Sequence, residues 1–165
     1  MNTLLFDFAY ERSTDGWLAI NDVVMGGVSS GKLEATGFAT AVFSGCVSLE
    51  NNGGFASARS RMATCDLRGC SGLELHVSGD DRRYKINVKT ATDPDGILYA
   101  AAFEARGQDW QIIRIPFSQF LPTQRGRIVY DAPPLDLAAV SSVGLMVSDR
   151  QTGPFRLEIA RIEAY

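Results

Sequence analysis

The sequence predicts an all-β protein, an antiparallel sandwich or barrel of roughly 10–11 strands. Three observations carry that prediction. First, 16 Gly and 6 Pro are spread along the chain, and no interval between successive ones exceeds 14 residues. That leaves little room for the helices that alternate with strands in an α/β protein. Second, short apolar runs repeat with period two, the period of a strand with one buried face. Third, 165 residues with 45% hydrophobic and 21% charged side chains suit one globular domain, residues 1–165. Such a chain buries roughly 70% of its unfolded surface and needs no disulfide or metal to fold.

In chain order, strands are expected at Leu4–Phe8, Trp17–Val24, Lys32–Thr36, Phe38–Phe43 and Val47–Glu50. Phe55–Arg61 follows, although Phe55, Ala58, Met62 and Cys65 also fit a helical stripe and periodicity leaves both open. Leu73, Leu75 and Val77 then alternate with Glu74, His76 and Ser78, and Tyr84, Ile86 and Val88 with Lys85, Asn87 and Lys89. Further strands are expected at Ile97–Phe103 and Trp110–Ile115, and around Val143, Leu145 and Val147. In the last strand Phe155, Leu157 and Ile159 share a phase that Ile162 breaks, which predicts a β-bulge near Ala160–Arg161. Pro134–Ser142 suggests one short helical turn, and Asp93-Pro94-Asp95-Gly96 a tight turn.

Composition narrows the function. A formal charge of −3 argues against the basic face of a nucleic-acid binder. No apolar run approaches the ~20 residues of a membrane-spanning helix. The N-terminus Met-Asn-Thr-Leu-Leu-Phe-Asp-Phe has neither the basic start of a signal peptide nor an Arg-rich transit sequence, so a cytoplasmic location is expected. Cys46, Cys65 and Cys70 form no disulfide framework and, with a single His, no common zinc site. No cofactor or metal is expected.

Catalytic patterns fare poorly. Gly27-Val28-Ser29-Ser30-Gly31 matches a nucleophile elbow, but a strand-like segment follows it where a helix is required, and the only candidate base is His76. His76 itself lies on the polar side of its strand and is expected at the surface. Asp22 and Glu50 are the candidate carboxylate pair for glycoside hydrolysis. Asp80-Asp81-Arg82-Arg83 reads as a solvated hairpin. A Ser29- or carboxylate-dependent hydrolase is the weakest of the readings.

Two segments stand out instead. Asn21-Asp22-Val23-Val24-Met25-Gly26-Gly27-Val28-Ser29 joins a carboxylate, a thioether, two glycines and a hydroxyl. Asn51-Asn52-Gly53-Gly54-Phe55-Ala56-Ser57-Ala58-Arg59 joins amides, glycines and a guanidinium. Adjacent glycines cost backbone entropy and belong where φ is positive or another backbone comes close. The two segments are expected to meet, with Asp22 or an Asn side chain bonding the backbone of the other.

These segments, with Trp17 before them and Phe43-x-Gly45 and Val47-Ser48-Leu49-Glu50 between them, resemble the complex I intermediate-associated protein 30 family. Gly79-Asp80-x-Arg82-x-Tyr84, Trp110 before Ile115-Pro116-Phe117, Arg125-Gly126-Arg127, Pro134-Leu135 and Phe155-x-Leu157-x-Ile159-x-x-Ile162 agree. Asp81 departs from the glycine expected in Gly-Asp-Gly-Arg. The resemblance implies a galactose-binding-domain-like jelly roll and makes Phe55–Arg61 a strand. It implies assistance to respiratory complex I assembly, as in mitochondrial members, and no catalytic residue.

The expected function is therefore a non-catalytic binding domain that presents polar Gly-rich loops and a sheet face to a protein partner, such as a respiratory-complex assembly intermediate. The binding residues expected are Asp22, Met25, Gly26, Gly27, Ser29, Asn51, Asn52, Gly53, Gly54, Arg59, Arg82 and Tyr84. Arg83 and Arg127 are further charged contacts. Trp17, Tyr84 and Trp110 are candidate anchors, with core packing the stronger reading for Trp110. The alternative is a carbohydrate-binding, lectin-like module for a small polar ligand that uses Asp22, Asn51, Asn52, Arg59, Tyr84 and Trp110.

Overall fold

The computed structural model describes residues 2–21, 27–91 and 96–165, without the side chain of Asn52. The expected turn at Asp93–Asp95 lies outside them, as do Val23 and Val24 of the expected second strand.

Thirteen strands are formed among the described residues: β1 (Thr3–Asp7), β2 (Trp17–Ala19), β3 (Ser30–Ala35), β4 (Ala41–Val47), β5 (Ala56–Ser60), β6 (Gly72–Ser78), β7 (Arg83–Thr90), β8 (Leu98–Glu104), β9 (Gln111–Pro116), β10 (Leu121–Gln124), β11 (Arg127–Ile128), β12 (Val140–Val147) and β13 (Gly153–Ala164). They make two sheets. The six-stranded sheet runs β3-β4-β13-β6-β9, with β1 also on β13, and the seven-stranded sheet runs β11-β10-β8-β7-β12-β5-β2. Every pairing between these strands is antiparallel. The sandwich expected from the alternation is the fold observed.

The inward faces are the predicted ones. Leu73, Leu75, Val77, Leu157, Ile159 and Ile162 face Ile86, Val88, Val143, Leu145 and Val147, all fully buried. Phe43, Tyr84, Phe103 and Phe155 meet in this layer with ring centroids 4.9–6.4 Å apart. A second aromatic group, Phe6, Phe8 and Trp17, closes one end. The predicted bulge is present. Ile159 pairs with Val77 and Arg161 with His76, so Ala160 is the extra residue that returns Ile162 to the core.

Several strand boundaries differ from expectation. The strand expected at Trp17–Val24 ends at Ala19, because Ile20 and the Asn21 side chain bond Ser57 instead of continuing a ladder. The strands expected at Phe38–Phe43 and Val47–Glu50 merge into β4, while Phe38 sits on the hairpin tip, 86% exposed. The reason is Gly45. It stays within the strand, where a Cβ would lie 2.0 Å from the Ser30 carbonyl oxygen, so the glycine marks a close approach between β3 and β4. Glu50–Asn52 is instead a 3-10 turn. The β10–β11 hairpin was not anticipated. Its strands are short and exposed or half-buried, and Arg125 and Gly126 form a two-residue turn with positive φ at both positions. The short helical turn expected near Pro134 is Leu137–Ala139, capped by the Asp136 carboxylate, which accepts from the Ala138 amide at 3.0 Å. Among the described residues no helix is long and apolar enough to cross a membrane.

Candidate functional site

The Gly-rich segments do come together, and they do so at the edge where the two sheets meet. The Asn21 side chain donates to the Gly31 carbonyl at 3.2 Å and accepts from the Ser57 amide at 3.2 Å. One side chain thus ties β3 of one sheet to β5 of the other. The Ser57 hydroxyl donates to the Ile20 carbonyl, and the Ile20 amide to the Ser57 carbonyl. Ser29, 6% exposed, donates to the Ser48 carbonyl at 3.1 Å and accepts the Ser48 amide at 2.9 Å. Its hydroxyl is therefore engaged by backbone, while His76 is held by a carboxylate elsewhere. That arrangement is a brace, not a nucleophile and its base.

The other expected site residues are distributed differently. Gly27 is buried, and Asp22, Met25 and Gly26 lie outside the described residues. Asn51 is exposed in the left-handed region at φ 55°, and Gly53 and Gly54 are half-buried behind it. Arg59 is half-buried on β5, and its Nε is buried with no partner among the described residues. Burial holds its guanidinium below the usual arginine range. Tyr84 and Trp17 belong to the core, 1% and 8% exposed. Arg83 and Arg127 are exposed.

The hairpin read as solvated, Asp80 to Arg83, is a hub of internal bonds. Asp80 accepts from the Tyr84 hydroxyl at 2.9 Å and from the Arg156 amide at 2.8 Å. Arg82 donates to the carbonyls of Gln151 at 2.7 Å and Thr152 at 2.9 Å. Burial and the adjacent Asp80 charge push the Tyr84 hydroxyl far above the ordinary tyrosine range, so it stays a donor. Asp81, where glycine was expected, takes φ 67° and accepts from the Gly107 amide at 2.6 Å. Aspartate tolerates that conformation because its short side chain bonds locally.

The surface feature that sequence reasoning missed is a groove of about 550 Å³ on the outer face of the six-stranded sheet. Asp7 and Ala9 line one side, Ala39 of the β3–β4 hairpin another, and Trp110, Gln111 and Ile112 a third. His76, Ala160 and Arg161 also line it, so the β13 bulge helps to shape it. Trp110, for which core packing was the stronger expectation, is 51% exposed. Ile113 and Ile115 of β9 face the core, so alternation puts Trp110 and Ile112 on the outer face. Ile112 is 64% exposed. Its signal was legible: Ile112 and Ile113 are consecutive, and in a strand one of the two must face out.

Beside the groove Glu74 is 5% exposed. It accepts from Arg114 Nε at 2.7 Å, and His76 Nε2 lies 2.9 Å from its other oxygen. The bond to His76 and then that to Arg114 hold its carboxyl below the usual range. Glu74, His76 and Glu163 bring ligand atoms within 4.8 Å of one another. Both Glu74 oxygens are already committed and Glu163 accepts from the Asn2 side chain at 3.0 Å, so the group is an ion-pair network.

Comparison with known proteins bears on the family and the fold. A mouse protein named complex I intermediate-associated protein 30, mitochondrial, is 28% identical over 94% of this chain and 54% of its own length. A Drosophila melanogaster protein of the same name is 29% identical over 94% of this chain and 60% of its own length. The chain thus spans little more than half of these relatives. The names correct the expected cytoplasmic location, because they point to the mitochondrion. The composition of a folded N-terminal strand was the wrong guide to address. Among solved structures, the family 11 carbohydrate-binding module of a Clostridium thermocellum cellulosomal cellulase superposes with a TM-score of 0.73 at 17% identity, covering 99% of this chain and 94% of that one. An agarase, AgWH50C, gives 0.66 at 12% identity, covering 99% of this chain and 24% of that one. These likenesses are of fold alone. The pattern of the complex I intermediate-associated protein 30 family matches residues 6–159, and the chain belongs to that family.

Proposed function

We propose that this chain is a non-catalytic binding domain that docks a protein of a respiratory complex I assembly intermediate against the outer face of its six-stranded sheet. Family membership supports the kind of partner. The observation that carries the face is the pair of exposed apolar side chains, Trp110 and Ile112, that line the groove. Trp110 and Ile112 line it at 51% and 64% exposure, and Tyr10 and Phe38 follow or precede lining residues at 69% and 86%. Exposed apolar side chains gathered around polar ones are the usual composition of a protein-binding patch. Asp7, His76 and Arg161 supply the polar part. The Gly-rich segments support this reading indirectly, as the brace that keeps the two sheets in fixed relation. The test is native electrophoresis of the tagged chain from its own cells. Co-migration with complex I subunits is expected, and a Trp110→Ala, Ile112→Ser variant should lose it while melting normally. Undiminished co-migration of that variant would overturn the choice of face.

A second reading has one observation in its favour. Trp110 stands exposed beside Asp7, Gln111 and Arg161, which together offer a stacking surface and directional polar groups for a sugar. Because Trp17 is buried, Trp110 alone among the two tryptophans would report sugar binding by quenching. A glycan array without hits and no change in fluorescence would remove this reading.

A further inference from the structure

We infer that the docked partner adds an extended strand to the free edge of β9, so that the six-stranded sheet continues into the other protein. This deepens the docking proposed at the groove and rests on it.

The ladder bonds fix which backbone groups are free. β9 ends its sheet and, among the described strands, pairs with β6 alone. The Tyr165 amide donates to the Gly72 carbonyl at 3.0 Å and the Gly72 amide to the Tyr165 carbonyl at 3.3 Å, so Gly72 of β6 turns its backbone away from β9. Successive residues of an antiparallel strand point their backbone groups to opposite sides. Leu73, Leu75 and Val77 therefore bond β9, through their partners Ile115, Ile113 and Gln111. The Phe117 amide, which donates to the Ser71 carbonyl at 2.9 Å, continues that phase. The amides and carbonyls of Ile112 and Arg114 are left pointing out from the edge, and the backbone of no described residue bonds them. Pro116 shares their phase but has no N–H, which ends the free ladder there.

The other edges are guarded and this one is not. β3 carries the exposed ion pair of Lys32 and Glu34, a register shift at Leu5 breaks β1, and β2 and β11 have three and two residues. Charge, bulges and shortness are what keep an edge from pairing. β9 has six residues, and its one charged side chain, Arg114, is drawn back to Glu74 at 2.7 Å. At its centre stand two isoleucines. Ile112 is exposed on the outer face, and Ile113 faces the core yet is only half-buried, because the sheet stops there. A helix laid over this edge would bury the Ile112 and Arg114 backbone groups unpaired, at a cost in free energy. A strand pairs them and sets one side chain beside Ile112 and the next over Ile113. Backbone bonds then supply affinity, and the isoleucines select a segment that is apolar on both faces at that point.

Amide hydrogen exchange tests this on the tagged chain, free and in the complex isolated from its own cells, read residue by residue by electron-transfer fragmentation mass spectrometry. The Ile112 and Arg114 amides should exchange quickly in the free chain and slow by about tenfold or more in the complex, while those of Ile113 and Ile115 are slow in both. Two variants separate backbone from side chain. Ile112→Pro removes the outward N–H and spares the bonds to β6, whereas Ile112→Ala removes only side-chain atoms. The alanine chain should keep part of its co-migration with complex I subunits and the proline chain none. If Ile112→Pro unfolds, or both variants lose all co-migration, the exchange measurement carries the test. Fast exchange of Ile112 and Arg114 within the complex, or equal co-migration of the folded proline and alanine chains, would overturn strand addition and leave the docking face standing. A parent chain that co-migrates with no complex I subunit would overturn both.

Discussion

Among the described residues, several side chains that give this chain its family character bond to the chain itself. Asn21 links two sheets, Ser29 holds the Ser48 backbone, and Asp80 gathers Tyr84 and the Arg156 amide. Tyr84→Phe leaves the ring packing intact and removes one bond to a carboxylate, so it should cost about 1.5 kcal/mol in urea unfolding. Asn21→Ala removes two bonds across the sheet edge and should cost about 2 kcal/mol. Glu74 sets an acid dependence. Its folded carboxyl titrates below the unfolded value of about 4.3, so its contribution is complete above that pH and is lost as pH falls through the lower folded value. Thermal melts from pH 7 to pH 3 should show a smaller decline for Glu74→Gln than for the parent. Sequence revealed that these polar residues were unusual for turns but not that they were buried. The partners of Asp80 and Arg82 arrive from far along the chain, Arg156 from β13 and Gln151 from the loop before it.

The strands were legible where one face is buried, because alternation is then strict. Leu73 to Ser78 and Tyr84 to Lys89 read correctly for that reason, and the Ile162 phase break revealed the bulge before any pairing was known. Glycine was the ambiguous letter. Gly45 resembled a strand end, yet β4 runs through it because the Ser30 carbonyl occupies the space of a side chain. Gly45→Ala should push β3 from β4 and destabilise by about 1–3 kcal/mol, with early loss of amide protection in Ser30–Ala35. The β10–β11 hairpin was illegible because strands of four and two residues are too short to show a period.

For the whole protein, the two-layer fold follows from strand periodicity and turn chemistry, whereas the outward surfaces do not. The groove needs the N-terminal strand, a hairpin tip, an edge strand and the bulge of the last strand in one place, and only the completed topology brings them together. The loops first singled out brace the sandwich, and the docking proposal moves to the face beyond β6 and β9. Photo-crosslinking in the native cell tests that claim most directly, with a photoreactive residue replacing Ile112 in one chain and Tyr130, 92% exposed near the seven-stranded sheet, in another. The account predicts adducts to a complex I subunit or assembly protein from position 112 and none from position 130. Equal capture from both positions, or capture from position 130 alone, would contradict it.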